Sequence, residues 1–340
     1  MPTKHAERAV GDPPPLDRAL DPKVIDAITE SVCREPHLCR VGETRLPDRA
    51  AVAELVELIR RLVFPGFFSD RELRQEDVPS HVAHLAARLA AHLQTEITAV
   101  LRYAHELGLD LVEGADPAAD AELARDLARR FLEGLPEIRR LLSLDVQAAY
   151  DGDPAATHTD ETILAYPGVA AIFSHRVAHA LYALDVPLLP RIIQEMAHTA
   201  TGIDIHPGCT IGESFFIDHG GAVVIGETAK LGHHVRIYQG VTLGAKSFDA
   251  DERGRLLRTG KQRHPTIGNR VTIYAGAIIL GGETVIGDDC VISGSVFVTE
   301  SVPAGHVIRN PKPELVMRSS TKGSGGGAPQ DGRRYTEAGG

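Results

Sequence analysis

Residues 225–244 read IGETAKLGHHVRIYQGVTLG, and a large aliphatic residue stands at every sixth position. The period is kept by Ile225, Leu231, Ile237 and Leu243. A small or branched residue follows four positions after most of them: Ala229, Val235 and Val241. A helix would show spacings of three and four and fewer internal glycines. The stretch therefore indicates hexapeptide repeats, which stack as a parallel β-helix.

The six-residue period continues on both sides of this stretch. The further aliphatic positions are Ile205, Ile211, Ile217, Ile267, Ile273, Leu280, Ile286, Ile292 and Val298. The further small positions are Cys209, Val271, Ala277, Cys290 and Val296. One repeat cannot bury its apolar face alone, so neighbouring repeats must stack to form a core. We therefore interpret Cys209 and Cys290 as packing residues.

The period is interrupted in three places. Ile217 to Ile225 spans eight residues, Ile273 to Leu280 spans seven, and Leu243 to Ile267 spans twenty-four. Insertions in a solenoid collect on a face that often binds ligand. The three interruptions are therefore candidate site markers, with tolerated insertions as the alternative.

The first part of the chain has a helical pattern instead. In residues 80–108, apolar residues recur at spacings of three and four, with Ser80 as the predicted N-cap and Gly108 as the stop. Similar amphipathic pieces occur at 24–33, 50–63, 117–133 and 171–184. The sequence thus predicts an α+β protein: a disordered segment 1–20, an all-helical domain 21–200, a β-helix domain 201–318 and a flexible Gly-rich tail 319–340.

Composition narrows the class of protein. The 340 residues are enough for two domains with real cores, and the net charge of −10 argues against a nucleic-acid footprint over the whole surface. The sequence shows neither a secretory h-region nor an apolar run of the ~20 residues that a membrane helix needs. The four cysteines form no Cys-x-x-Cys pair. These features predict a reduced, cytoplasmic protein.

Asp204 and His219 are the first candidates for chemistry. They lie fifteen residues apart where one coil of three hexads takes about eighteen, so we expect them on adjacent coils, one strand spacing of ~4.8 Å apart. A carboxylate at that distance can accept the Nδ1–H of the imidazole and leave Nε2 free to take a hydroxyl proton. The alternative is a histidine that only makes structural hydrogen bonds in a turn.

The long interruption carries a local positive charge. Residues 246–263 hold six basic residues against three acids, and the stretch closes with Arg263 and His264. A basic arm on an acidic protein suits an anionic partner such as a nucleotide phosphate or a carboxylate. A solvated charged loop is the alternative.

Several motifs together resemble one family. They are GDPAA (152–156), DIHPGCTIG (204–212), IDHGGAVVIGETA (217–229), QGVTLGA (239–245) and RHPTIG (263–268). In order and spacing, from about Asp153 through Val302, they resemble the serine O-acetyltransferases. The resemblance implies a left-handed parallel β-helix after a helical domain, and a homotrimer or dimer of trimers with sites between subunits. It implies acetyl transfer from acetyl-CoA to the hydroxyl of L-serine, the first step of cysteine biosynthesis.

The resemblance also assigns roles to residues. It makes His219 the general base and Asp204 its partner carboxylate. The two charged groups of serine receive partners of opposite charge: Asp153 and Asp218 for the ammonium, Arg263 and His264 for the carboxylate. Small residues match the positions where the pantetheine arm of acetyl-CoA approaches the backbone: Gly244, Ala245, Ala275 and Gly276.

Some expectations concern ligands and partners. Acetyl-CoA is expected as co-substrate without a metal, and L-cysteine as a feedback inhibitor at the serine site. Arg309 stands where the family often has glycine, and Lys312 is displaced by one, which leaves the phosphate contacts of CoA unassigned. The chain ends in Gly339-Gly340 rather than isoleucine, so docking to cysteine synthase through a terminal isoleucine is not expected.

Three alternatives stay open at this point. The β-helix could acetylate another hydroxyl acceptor, or it could form a catalytically silent trimer. It could also hold zinc between subunits as γ-class carbonic anhydrases do, with His206, His219 and His264 as ligands. Arg176 and His179 are predicted to pack on the β-helix or to bond to it rather than to act in chemistry.

Overall fold

The structure is a computed structural model. It describes residues 21–35, 38, 45–69, 72–108, 117–247, 251, 253 and 260–311. The segment 1–20, the tail 319–340, Lys312 and most of the basic loop lie outside these residues. Residues 1–45 form a unit of their own. Its helix α1 spans Pro22–Arg34, and the preceding residue, Asp21, is the N-cap, whose side chain accepts a hydrogen bond from the Lys23 N–H.

The remaining helices belong to the unit formed by residues 46–340. They are α2 (Arg49–Val63), α3 (Val78–Glu106), α4 (Pro117–Gly152), α5 (Thr159–Ala165), α6 (Pro167–Tyr182) and α7 (Leu189–Thr201). Ser80 is not the N-cap of α3, because the helix already begins at Val78 with Pro79 in its first turn, where a missing N–H costs nothing. No helix in the described part of the chain is long and apolar enough to cross a membrane.

Gly202 ends α7 in the left-handed region (φ 70°), and the β-helix begins at the next residue. Its strands are β1 (Ile203–Ile205), β2 (Thr210–Ile211), β3 (Phe216–Ile217), β4 (Val223–Ile225), β5 (Lys230–Leu231), β6 (Arg236–Ile237), β7 (Thr242–Gly244), β8 (Thr266–Ile267), β9 (Thr272–Ile273), β10 (Ile278–Leu280), β11 (Val285–Ile286), β12 (Val291–Ile292), β13 (Phe297–Val298) and β14 (Val307–Ile308).

The strands form three parallel sheets, one for each face of the coil. The first face has the order β1-β4-β7-β10-β13, the second β2-β5-β8-β11 and the third β3-β6-β9-β12-β14. The predicted fold class, a helical part followed by a left-handed parallel β-helix, is confirmed. The small positions of the repeat all point inward and are buried, including Cys209 and Cys290.

One predicted repeat position is wrong. Ile279, not Leu280, is the fully buried residue of β10, and it pairs with Leu243 of the coil below. The six-residue step therefore holds from Ile273 to Ile279, and the extra residue follows at the corner around Gly281, whose φ is 107°. A run of three aliphatic residues, Ile278 to Leu280, hid the register from sequence reasoning.

Every interruption of the period is absorbed at a corner, so the faces stay regular. Ile203 pairs with Val223, twenty residues on, whereas Val224 pairs with Thr242, eighteen residues on. We call residues 218–222, 238–241, 274–277 and 293–296 the His219 corner; these stacked turns join the third face to the first. We call residues 206–209, 226–229 and 262–265 the His264 corner; it joins the first face to the second.

Helix α6 packs on the coil through two polar side chains. The buried guanidinium of Arg176 binds both carboxylate oxygens of Asp145 on α4 and donates to the main-chain oxygens of Ile211 and Gly212. Nδ1 of His179 lies 2.8 Å from the main-chain oxygen of Pro207. The prediction that Arg176 and His179 hold the helices to the β-helix is confirmed. Helices α2–α7 and the coil share one continuous core.

Candidate active site

The His219 corner owes its shape to the eight-residue step in the repeat. Its backbone enters the left-handed region at His219 (φ 58°), Gly220 (φ 80°) and Ala222 (φ 61°). The left-handed conformation costs a residue other than glycine about 1–2 kcal/mol of conformational free energy. The Ala222 N–H donates to the Gly202 oxygen at 2.9 Å, which stacks the turn on the start of the coil. The turn projects the His219 side chain outward, where it is 71% exposed.

Two carboxylates lie near His219. Oδ1 of Asp218 is 3.8 Å from its Nε2. Asp153 follows the end of α4, and its pKa is lowered mainly by a hydrogen bond from Tyr166, then by the Ala155 N–H and by the charge of His219. The Tyr166 hydroxyl donates to Oδ2 of Asp153 at 2.5 Å. Three residues to which the resemblance assigns roles therefore lie close together here: Asp153, Asp218 and His219.

Asp204 is placed differently from the prediction. It lies in β1 and pairs with Val224, the equivalent position one coil later. Asp204 is therefore near the start of the same coil that has His219 near its end. The prediction of adjacent coils is wrong because fifteen residues are fewer than one full coil, which takes twenty residues here. Within the described residues, no hydrogen bond joins Asp204 to His219. The His219 turn stacks on Gly202, two residues before Asp204.

The His264 corner is built around Thr228. Its Oγ1 accepts hydrogen bonds from the main-chain N–H groups of Arg263 at 2.9 Å and of His264 at 3.1 Å. The Thr228 N–H donates to Nδ1 of His264 at 3.1 Å. Gln262 donates from Nε2 to the main-chain oxygens of both Thr228 and His264. These bonds fix the end of the long loop on the coil below.

His264 is a neutral hydrogen-bond donor in this setting. The residue is 7% exposed, and burial, followed by the nearby positive charge of Arg263, lowers its pKa to about 4. Because Nδ1 accepts a hydrogen bond, the single proton of the neutral ring is on Nε2. The ring lies against Gly226, where a Cβ would be 2.0 Å from Nε2. His264 can therefore offer an N–H to an anion without carrying charge itself.

Arg263 supplies the charge at the same corner. Its guanidinium forms an ion pair with Glu227, which also accepts a hydrogen bond from the Tyr182 hydroxyl at 3.3 Å. A guanidinium has five N–H donors in a planar fork, so this contact leaves donors for a carboxylate. A cation beside a neutral N–H donor is a suitable receptor for a carboxylate.

The two corners flank the first face and do not meet within one chain. Strand β4 runs from one to the other, a span of about 10 Å for three residues. The predicted pantetheine positions divide in the same way. Gly244 and Ala245 adjoin the His264 corner, whereas Ala275 and Gly276 precede β10 at the His219 corner. One chain thus presents two separate groups of candidate site residues, one at each corner.

The histidines proposed as zinc ligands divide between the corners as well. His206 and His264 share the His264 corner, whereas His219 is on the other one. Across the described residues, no group of three or more His, Cys, Asp or Glu side chains could hold a metal ion. His206 has its own local role, because its Nδ1 accepts the Gly208 N–H at 3.0 Å.

Comparison with known proteins gives a consistent result. No protein-family model matches the chain. A protein named "Serine acetyltransferase, plasmid" from Synechococcus elongatus is 46% identical over 285 residues, which cover 83% of this chain and 86% of that protein.

Two solved structures from Entamoeba histolytica are similar as well. Native serine acetyltransferase 1 is 33% identical with a TM-score of 0.63, over 80% of this chain and 90% of that one. Serine acetyltransferase 1 in complex with L-cysteine is 32% identical with a TM-score of 0.64, over 84% of this chain and 100% of that one.

Proposed function

The chain belongs to the serine acetyltransferase family, and from that premise we propose that it transfers the acetyl group of acetyl-CoA to the hydroxyl of L-serine. The products are O-acetyl-L-serine and CoA. The observation that carries the proposal is the pair of half-sites: two carboxylates beside an exposed histidine at one corner, and a cation beside a neutral N–H donor at the other. L-serine is a zwitterion with a hydroxyl to deprotonate, so it needs both halves.

His219 is the proposed general base. Its Nε2 takes the hydroxyl proton as Oγ of serine attacks the carbonyl carbon of the thioester, which gives a tetrahedral intermediate. Collapse breaks the C–S bond, and the proton passes from His219 to the leaving thiolate. The exposed, projecting side chain supports this role, since the base must reach substrate. Asp204 is the proposed partner for Nδ1; it lies two residues after Gly202, whose main-chain oxygen accepts the Ala222 N–H of the His219 turn.

The charged groups of serine have proposed partners at both corners. Asp153 and Asp218 receive the ammonium, and Arg263 and the Nε2–H of His264 receive the carboxylate. Since one chain separates these sets across the first face, a complete pocket needs the His219 corner of one copy and the His264 corner of another. We therefore propose a homotrimer, or a dimer of trimers.

The outer surface of the first face supports assembly through it. Val224 is 38% exposed and Phe297 is 63% exposed on the column of side chains between the two corners. The half-buried Thr242 and Ile278 lie between them in the column, and exposed apolar side chains on one face are a feature of interaction surfaces. In the proposed trimer, this column faces a neighbouring copy or the acyl donor.

Acetyl-CoA is the proposed co-substrate, and no metal has a proposed role. Gly244, Ala245, Ala275 and Gly276 are the proposed contacts of the pantetheine arm, because their small side chains let the arm approach the backbone. The cytoplasm is the proposed location. Among the residues that the structure describes, Cys33, Cys209 and Cys290 are unpaired, as is usual for proteins of that compartment.

L-cysteine is a proposed inhibitor at the serine pocket. The Entamoeba enzyme has been solved in complex with it. L-cysteine carries the same ammonium and carboxylate as L-serine, with a thiol in place of the hydroxyl. It can therefore use the same charged partners and exclude serine.

An acceptor panel tests the proposed function. Release of the CoA thiol from acetyl-CoA is followed with L-serine, L-threonine, L-homoserine, ethanolamine and a hexose as acceptors. We expect the highest kcat/KM for L-serine. A higher value for another acceptor would redirect the assignment to that hydroxyl, and no turnover with any acceptor would contradict acetyl transfer altogether.

A further inference from the structure

Residues 226–228, which we call the GET turn, underlie the whole of the carboxylate half-site. Gly226 lies beneath the His264 ring, Glu227 forms an ion pair with Arg263, and Thr228 binds the main chain of both. The turn belongs to the coil below the end of the long loop. It thus contacts Arg263 and His264 across 36 positions of sequence.

The hydroxyl of Thr228 has its full set of partners. A threonine hydroxyl offers one hydrogen and two lone pairs. The N–H groups of Arg263 and His264 occupy the lone pairs, so the hydrogen is left for Nδ1 of His264, 2.9 Å away. The Thr228 N–H points at the same Nδ1 atom. Two donors on Nδ1 leave one tautomer for the neutral ring, with the proton on Nε2.

Gly226 and Glu227 fix the positions of the His264 ring and the Arg263 side chain. A Cβ at position 226 would lie 2.0 Å from both Cδ2 and Nε2 of the ring, so only glycine lets the imidazole rest there. Glu227 holds the Arg263 side chain and is itself held by the hydroxyl of Tyr182. Tyr182 is the last residue of α6, so the helical part of the molecule supports the turn.

We propose that the GET turn is the positioning element for carboxylate recognition: Thr228 sets the ring orientation and tautomer of His264, and Glu227 sets the direction of Arg263. This inference rests on the proposed function and adds residues that make no contact with substrate. The turn makes the pocket selective for acceptors that bear an α-carboxylate. Selectivity is a measurable property, separate from holding the loop in place.

The decisive comparison uses L-serine and L-serinamide, which differ in the carboxylate but share the hydroxyl and the ammonium. The variants are Thr228→Val, which keeps the shape and loses the hydroxyl, and Thr228→Ser, which keeps the hydroxyl. Thr272→Val is the matched control, since Thr272 is an outward-facing threonine on the third face. KM and kcat are measured for both acceptors and for acetyl-CoA.

We expect Thr228→Val to raise the KM for L-serine by up to about tenfold, because a hydrogen bond between neutral groups contributes about 0.5–1.5 kcal/mol. The KM values for L-serinamide and acetyl-CoA should change less than about twofold. Thr228→Ser should restore selectivity, and Thr272→Val should match wild type. An equal loss for both acceptors, or an unchanged KM for L-serine, would overturn the proposal.

Glu227 provides an independent arm if Thr228→Val does not fold. Glu227→Ala should raise the KM for L-serine more than Glu227→Gln, which keeps a hydrogen-bond acceptor for Arg263. Equal KM values for the two variants and wild type would overturn the role of Glu227. Failure of the proposed function is a different result, since the wild-type enzyme would then not acetylate L-serine at all.

Discussion

The hydroxyl of Tyr166 donates a hydrogen bond of 2.5 Å to Oδ2 of Asp153. The two residues come from different helical segments, since Asp153 follows α4 and Tyr166 precedes α6. The bond therefore fixes a carboxylate supplied by the helical part beside a histidine supplied by the β-helix. The same bond raises the pKa of Tyr166 to about 12, because ionisation of the phenol would break the hydrogen bond and place a second negative charge beside the carboxylate. In the proposed function, the helices therefore supply part of the serine site as well as its support.

Loss of the Tyr166 hydroxyl should weaken serine binding. In Tyr166→Phe the Asp153 carboxylate loses its strongest partner and its fixed orientation, at a cost of about 1.5–3 kcal/mol for a hydrogen bond to a charged group. We expect the KM for L-serine to rise at least about tenfold, with a smaller change in kcat. Steady-state kinetics of Tyr166→Phe, with Tyr150→Phe as the control variant, measure this change in KM. Equal kinetics for the two variants would show that Asp153 does not hold the ammonium.

Gly226→Ala should displace His264. The added Cβ would lie 2.0 Å from the ring, and overpacking of this kind costs about 1–3 kcal/mol. We expect a large fall in kcat/KM for L-serine with the β-sheet circular dichroism unchanged. Gly134→Ala is the control, because a Cβ there meets no atom within 4 Å. Wild-type kinetics for Gly226→Ala would mean that the ring position is unimportant.

His264 should make the protein less stable in acid. Burial and Arg263 lower its pKa to about 4 in the fold, whereas the unfolded chain takes up the proton near ~6.5. Between these values the unfolded state binds more protons, so the free energy of unfolding falls as the pH is lowered through the window.

Urea unfolding of wild type and His264→Gln at pH 7.5 and pH 5 tests this dependence. Other titrating groups contribute equally to both proteins and cancel in the difference. The stability advantage of wild type should be smaller at pH 5 than at pH 7.5. An advantage that is independent of pH would show that His264 is charged or exposed in the folded protein.

L-cysteine should compete with L-serine. Both amino acids present one ammonium and one carboxylate to the same partners, so cysteine should raise the apparent KM for serine and leave the maximal rate unchanged. Arg263→Ala should weaken both ligands by a similar factor, since it removes the cation that both carboxylates need. Initial rates over a matrix of the two concentrations measure this. Inhibition that serine cannot overcome would place cysteine elsewhere.

The architecture was largely predictable because its signal is local. Each six-residue repeat contains one inward-facing aliphatic residue and one small residue, and the buried side chains of the coil follow that pattern. Prediction went wrong where the local signal is degenerate: Ile278, Ile279 and Leu280 are all aliphatic, and only pairing with β7 shows which one faces inward.

The site was predictable only in part. The interruption of the period between Ile217 and Ile225 marks the turn that projects His219. The resemblance added the candidates Asp153, Asp218, Arg263 and His264. Tyr166 and Thr228 were missed because their partners lie 13 and 36 positions away, so only the packed fold brings them together. The hexad pattern explains Ile225 and Ala229 and treats the GET turn between them as an ordinary corner.

The most direct test of the central claim is the kcat of His219→Gln with L-serine and acetyl-CoA. Glutamine keeps a polar side chain in the turn but cannot take a proton. We predict a loss of at least about a hundredfold in kcat, the contribution of a positioned general base, with the KM for L-serine changed little. A kcat close to that of wild type would contradict the assignment of His219 as the base.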